Sequence, residues 1–203
     1  MVQSRKVKAV ITDLDGVIRF FPETRDNEFE KKYTLPIGSL VENALTGDDL
    51  NQVITGKISD KEWRSRIAKK LNEKYKVNNS EDIVNLWSDF PGEINQAALR
   101  RLQEARKNVP LVLMTNATDR LASDLNKLGI QDKFDYIINS SKIGFAKPSV
   151  EIFQHALEYL SLTPEEIVFI DDSKSIIDKA VEMNFRAHLH KSNKDFDDSL
   201  KDI

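Results

Sequence analysis

The chain has 203 residues, 40% hydrophobic and 31% charged, with a formal net charge of -3 at pH 7. Its length suits one core with a sizeable insertion, and its lysines and arginines are spread out, without the clustered basic face that nucleic acid or an anionic membrane surface requires. It has no cysteine, which excludes disulfides, thiolate catalysis and cysteine-based zinc sites.

No apolar run reaches bilayer length and the opening residues lack a signal-peptide pattern, so a cytoplasmic location is the expectation. The first predicted strand, Val7 to Thr12, runs straight into Asp13-Leu14-Asp15-Gly16. Strand alternation would turn Asp13 and Asp15 to the same side. Two carboxylates that close repel unless one is protonated or a cation sits between them. Residues 17–110 then make a connection far longer than the roughly 30 residues of one βαβ unit. Within it, "ISDKEWRSRIAKKLNEKY" opens on a Ser59-x-x-Glu62 capping-box pattern and repeats Trp63, Ile67, Leu71 and Tyr75 every fourth residue, as a packed helix does. "IGSLVENAL" and "SEDIVNLW" predict two more helices, and "EINQAALRRLQEARKN" a crossover helix from Glu93 back to the sheet.

Four further strands are predicted: Pro110 to Thr115, Tyr136 to Asn139, Ile167 to Asp171 and Arg186 to His190. The helical patterns between them place Leu121, Leu125 and Leu128, then Ile152, Phe153 and Ala156, then Ile176, Ile177 and Ala180 on single faces. Alternating strands and helices with short connections predict an α/β fold, a Rossmann-like parallel sheet with helices on both faces. The domain boundaries expected are 1-19 and 91-203 for the core and 20-90 for an inserted helical cap. Such an insertion, directly after the aspartates, is placed to roof the carboxyl ends of the strands, where ligands bind in open α/β sheets. The tail predicts a docked last helix carrying Phe196 and Leu200.

The strand ends hold the chemistry. They carry Asp13 and Asp15, then Thr115-Asn116, then Lys147-Pro148 before a helix, then Asp171-Asp172. Each alone reads as a turn or a helix cap; together they converge on one edge. Carboxylates without histidine or cysteine make a hard oxygen site suited to Mg²⁺. A hydroxyl, backbone N–H groups and one lysine suit a phosphate dianion. Aspartate is also a competent phosphoryl acceptor. One aspartate would attack phosphorus while its neighbour handles the proton of the leaving group. His188 and His190 lack a third metal ligand in the sequence and read as surface or packing residues. Arg19, Arg25 and Arg64 are open as substrate contacts.

These residues resemble the haloacid dehalogenase-like (HAD) hydrolase superfamily, in its helical-cap phosphatase subgroup. "DLDGV", "MTNA", Lys147 and "FIDDS" match its four motifs in order, over about Val7 to His190. The resemblance implies a Mg²⁺-dependent phosphatase acting on a small phosphorylated metabolite, with sugar phosphates among the candidates. Asp13 is then the nucleophile and Asp15 the general acid and base. Thr115, Asn116 (through its backbone) and Lys147 hold phosphate. Asp13, the Asp15 carbonyl and Asp172 hold the metal, with Asp171 nearby or bound to it through water. An aspartate at position 15 favours phosphoryl chemistry over dehalogenation. "RFFPETRD" lacks the "DS" common in the mutase branch, which leaves a sugar-phosphate mutase as the alternative, beside a non-catalytic binding or regulatory member. Ile176 and Asn184 stand where relatives often carry Asn and Gly.

Overall fold

The protein is described by a computed structural model over residues 6–201 and 203. Its main sheet has strands β1 (Ala9–Thr12), β4 (Leu111–Thr115), β5 (Tyr136–Asn139), β6 (Ile167–Asp171) and β7 (Arg186–Leu189) in the order β5-β4-β1-β6-β7, all parallel. Two short strands, β2 (Arg19–Phe20) and β3 (Glu93–Ile94), pair antiparallel.

Alternation along the strands divides the core into two layers, as a period of two requires. Val10, Leu111, Leu113, Val168 and Ile170 face one apolar cluster. Ala9, Ile11, Val112, Met114, Ile167 and Phe169 face the other. Helices α6 (Gln96–Arg106) and α7 (Leu121–Lys127), together with Phe196 of α11 (Asp195–Ser199), cover the first layer; α9 (Val150–Leu160) and α10 (Lys174–Glu182) cover the second. β1 is central and buried along its whole length, so the loop that follows it opens at the middle of the sheet's carboxyl edge.

Between β2 and β3 lie five helices: α1 (Glu23–Lys32), α2 (Ser39–Leu45), α3 (Asp48–Ile54), α4 (Asp60–Tyr75) and α5 (Ser80–Ser88). They enclose a cluster of their own, including Leu40, Val53, Trp63, Ile67, Leu71 and Ile83. The β2–β3 pair is the stem through which the chain leaves the sheet and returns to it.

The predicted helix from Glu93 begins later. Glu93 and Ile94 belong to the stem, and Asn95 caps α6 by accepting from the Ala98 N–H at 3.1 Å. At α4, Ser59 accepts from the Glu62 N–H at 3.1 Å, whereas the Glu62 carboxylate turns to Arg66, so only half of the capping box forms. Helix α1 carries almost no apolar stripe. It is tied instead by Glu30, which is fully buried and accepts from the N–H groups of Gly38 and Leu40 at the start of α2, at 2.6 and 2.7 Å. Asn184 has φ 66, a backbone conformation that Asn tolerates better than most residues.

Candidate active site

β1 stops at Thr12, and residues 13–18 leave the sheet as a turn, so strand alternation does not govern Asp13 and Asp15. Asp13 stays inside. Its Oδ1 accepts from the Leu14 N–H at 2.7 Å and lies 2.9 Å from Lys147 Nζ. The Asp15 carboxylate points elsewhere and is held by Arg19, with Nε to Oδ1 at 2.6 Å and Nη2 to Oδ2 at 2.9 Å. Gly16 follows with φ 76, and a Cβ there would fall on the Asp172 carboxylate. Only glycine lets the two strand-end loops approach so closely.

Lys147 is delivered by the loop between α8 (Ser140–Ile143) and α9. Asn116 clamps that loop from the end of β4: its side chain accepts from the Lys147 N–H at 2.8 Å and donates to the Lys147 carbonyl at 2.9 Å. The lysine is 4% exposed. Its ammonium bridges Asp13 and Asp171, 2.6 Å from Asp171 Oδ2, while Asp171 Oδ1 accepts from the Ser173 N–H at 2.8 Å. Burial alone would pull the lysine's proton affinity down; the charges of Asp13 and Asp171 outweigh it and raise it. Burial pushes the Asp13 carboxyl up to about 7, Lys147 pulling it back and Asp171 pushing further. Asp172, exposed beside them, is raised by partial burial and by the Asp171 charge.

Oxygens of Asp13, Asp171 and Asp172 all lie within 4.8 Å of one another. This all-carboxylate donor set fits a hard divalent cation such as Mg²⁺. The Asp15 carboxylate is outside the set. Thr115 ends β4, buried in the strand next to β1.

A cavity of about 500 Å³ separates this edge from the helical bundle. Asp15, Asn116 and Thr118 line it on one side and Leu50, Ile54 and Trp63 on the other. Trp63 therefore belongs both to the bundle's cluster and to the cavity wall. The bundle docks on the sheet at the start of α4. There the Asp60 N–H donates to Asp119 at 2.9 Å and the Asp60 carboxylate accepts from Thr118 at 3.1 Å. A line of ion pairs continues from this contact: Arg120 to Asp60 and Asp124 at 3.9 and 3.3 Å, then Arg19 to Asp124 at 3.8 Å and on to Asp15.

Asp60, Arg120 and Asp124 carry no signal in the sequence, since their partners come from other elements. Of the three arginines left open, Arg19 reaches Asp15 and Arg25 pairs with Asp26 on the cavity wall, while Arg64 turns to Asp60. His190 is buried and packs on Phe196, with burial holding its proton affinity down.

The chain is similar to known proteins in sequence and in structure. The chain is 26% identical to the phosphoglycolate phosphatase of Chromobacterium violaceum over 187 residues, covering 83% of this chain and 78% of that protein. It is 29% identical over 182 residues to acyl-CoA dehydrogenase family member 10 of Mus musculus, covering 83% of this chain but only 16% of that longer protein. A HAD family enzyme of Bacteroides thetaiotaomicron, solved in complex with magnesium and inorganic phosphate, superposes with a TM-score of 0.74 at 25% identity, over 91% of this chain and 94% of that one. Residues 7–178 match the model of the haloacid dehalogenase-like hydrolases, and the chain belongs to that family.

Proposed function

We propose that the chain is a Mg²⁺-dependent phosphatase that hydrolyses a small phosphorylated metabolite through an aspartyl-phosphate on Asp13, with residues 20–90 serving as a cap over the site. The observation that carries this reading is the buried Lys147 ammonium between Asp13 and Asp171. It keeps a carboxylate available as a nucleophile in a dry site and offsets charge as a phosphoryl group arrives. The phosphatase among the relatives and the magnesium and phosphate held by the structural neighbour support the same reading.

In this reading the two hydrogen bonds on Asp13 Oδ1 leave Oδ2 to attack phosphorus. The P–O bond to the alcohol breaks as the aspartyl-phosphate forms. Asp15, at the cavity, gives a proton to the departing oxygen and then takes one from the water that hydrolyses the aspartyl-phosphate. Both Asp15 oxygens are held by Arg19 in the resting structure, so Arg19 orients the acid and must yield one bond for proton transfer. The Thr115 hydroxyl and the Asn116 N–H hold phosphoryl oxygens. Asp13, the Asp15 carbonyl and Asp172 would hold Mg²⁺, which when bound neutralises phosphate charge. Asp171, spent on Lys147 and the Ser173 N–H, positions the lysine.

The test is phosphate release from a panel of phosphate monoesters with Mg²⁺ or with EDTA, for wild type and Asp13→Asn. Release that needs Mg²⁺ and disappears in Asp13→Asn is expected. A folded protein that binds Mg²⁺ yet releases phosphate from nothing would turn the reading to a mutase or a binding protein.

A further inference from the structure

The cavity beside Asp15 has a composition that its position does not require. Its wall is built from Phe21, Leu45, Leu50, Ile54, Trp63 and Trp87. Most of the polar side chains among them are already engaged within the protein. Arg25 donates to Asp26 and to the Trp87 carbonyl at 2.9 and 2.8 Å, and Asp26 also accepts from the Trp87 indole at 2.9 Å. Thr118 is bound to Asp60, and Ser88 to Asn85 and Arg64. Arg19 and Arg120 are shared among Asp15, Asp60 and Asp124. The guanidiniums of Arg19, Arg25 and Arg120 face the carboxylates of Asp15, Asp26, Asp60 and Asp124, and the exposed Glu23 adds a further negative charge, so a second anion would be repelled. The buried Trp63 indole N–H is without a hydrogen bond, and Asp60 Oδ2, Arg120 Nε and Asp124 Oδ1 are held by ion pairs alone.

We infer that the leaving alcohol of the substrate is predominantly apolar: the site takes phosphate monoesters of alkyl or arylalkyl alcohols in preference to polyol phosphates or to esters that carry a second anionic group. The inference rests on the phosphatase reading above and specifies its substrate class. A polyol entering this cavity would lose water from every hydroxyl and find partners for only a few of them, which disfavours burial. An alkyl chain would cover the aromatic and aliphatic wall at no such cost. About 500 Å³ is room for a small organic group. A carboxylate, as on phosphoglycolate, would face only carboxylates and guanidiniums that are already paired.

The experiment compares kcat/KM for ethyl, butyl, hexyl and phenylethyl phosphate with that for ribitol 5-phosphate, glucose phosphates and phosphoglycolate, in Mg²⁺. p-Nitrophenyl phosphate serves as a control for the core chemistry. The expected result is a rise of about threefold to fourfold per methylene until the cavity is filled, with hexyl phosphate at least tenfold above any polyol phosphate. Leu45→Asn, on a partly exposed helix face, should flatten that rise. A preference for polyol phosphates or phosphoglycolate, with p-nitrophenyl phosphate still hydrolysed, would overturn the inference and leave the phosphatase reading intact. If no ester is hydrolysed, the phosphatase reading fails, and binding decides the rest. Both tryptophans of the chain line the cavity, so their fluorescence should report tighter binding of hexylphosphonate than of ethylphosphonate. Equal binding of the two would also overturn the inference.

Discussion

Replacing Lys147 with methionine keeps its volume and removes the one charge between Asp13 and Asp171. The two contacts are 2.9 and 2.6 Å. At an effective dielectric of about 20, each is an attraction of roughly 6 kcal/mol, much of it offset by the cost of desolvating the ammonium. Removing one member of such a buried cluster costs about 3–5 kcal/mol, because the remaining charges stay buried without compensation. For a chain of this length that corresponds to a fall in Tm of roughly 6–20 °C. The penalty must also depend on pH. Asp13 sits at about 7 with the lysine present, and the lysine is what pulls it down. Its loss raises the Asp13 carboxyl further, and each added pKa unit is about 1.4 kcal/mol of penalty. That part is absent at pH 5, where Asp13 is protonated with or without Lys147, and complete at a pH above the raised value. Thermal unfolding in EDTA at pH 5 and pH 8 measures this, with Mg²⁺ restoring part of the loss at pH 8. A penalty below about 1 kcal/mol at pH 8, or one larger at pH 5, would refute the assignment of Lys147 as the counter-charge of the site.

Asp15→Asn should release about one equivalent of p-nitrophenol from p-nitrophenyl phosphate in a burst and then stall, because that leaving group needs no proton while the water step needs a base; steady turnover at the wild-type rate would remove Asp15 from the chemistry. Apparent Mg²⁺ affinity should fall below pH about 7, approaching tenfold per pH unit, because the proton on Asp13 competes with the metal. Calorimetric titration between pH 5.5 and 8 checks this, and a flat profile would take Asp13 out of the metal site. Gly16→Ala places a methyl on the Asp172 carboxylate at a left-handed backbone position, so about 1–2 kcal/mol of stability and at least tenfold in Mg²⁺ affinity should be lost together. Unchanged Mg²⁺ binding in a destabilised protein would show that Asp172 is dispensable for the metal.

The sheet and the positions of the charged groups on its edge were legible in the sequence because both are local. An apolar run bounded by Asp, Thr or Asn marks a strand and its end within a few residues, and helical spacing marks what crosses back. Asp13, Thr115, Asn116, Lys147, Asp171 and Asp172 could therefore be placed at strand ends or in the loop before a helix from the chain alone, and the long connection after Asp15 read as an insertion. What the sequence left open depends on partners far apart in the chain. Helix α1 has no apolar stripe to announce it and is held by Glu30 reaching α2. The stem at Glu93–Ile94 exists because Arg19–Phe20 lies beside it. Asp15 and Asp13 look equivalent as neighbours, and folding separates them: Lys147 and the Leu14 N–H retain one inside, while Arg19 draws the other to the cavity. The character of that cavity was decided last. Arginines and aspartates from separate elements pair with one another across the contact between sheet and bundle, and the wall that remains is largely apolar because most of its charged groups are engaged there.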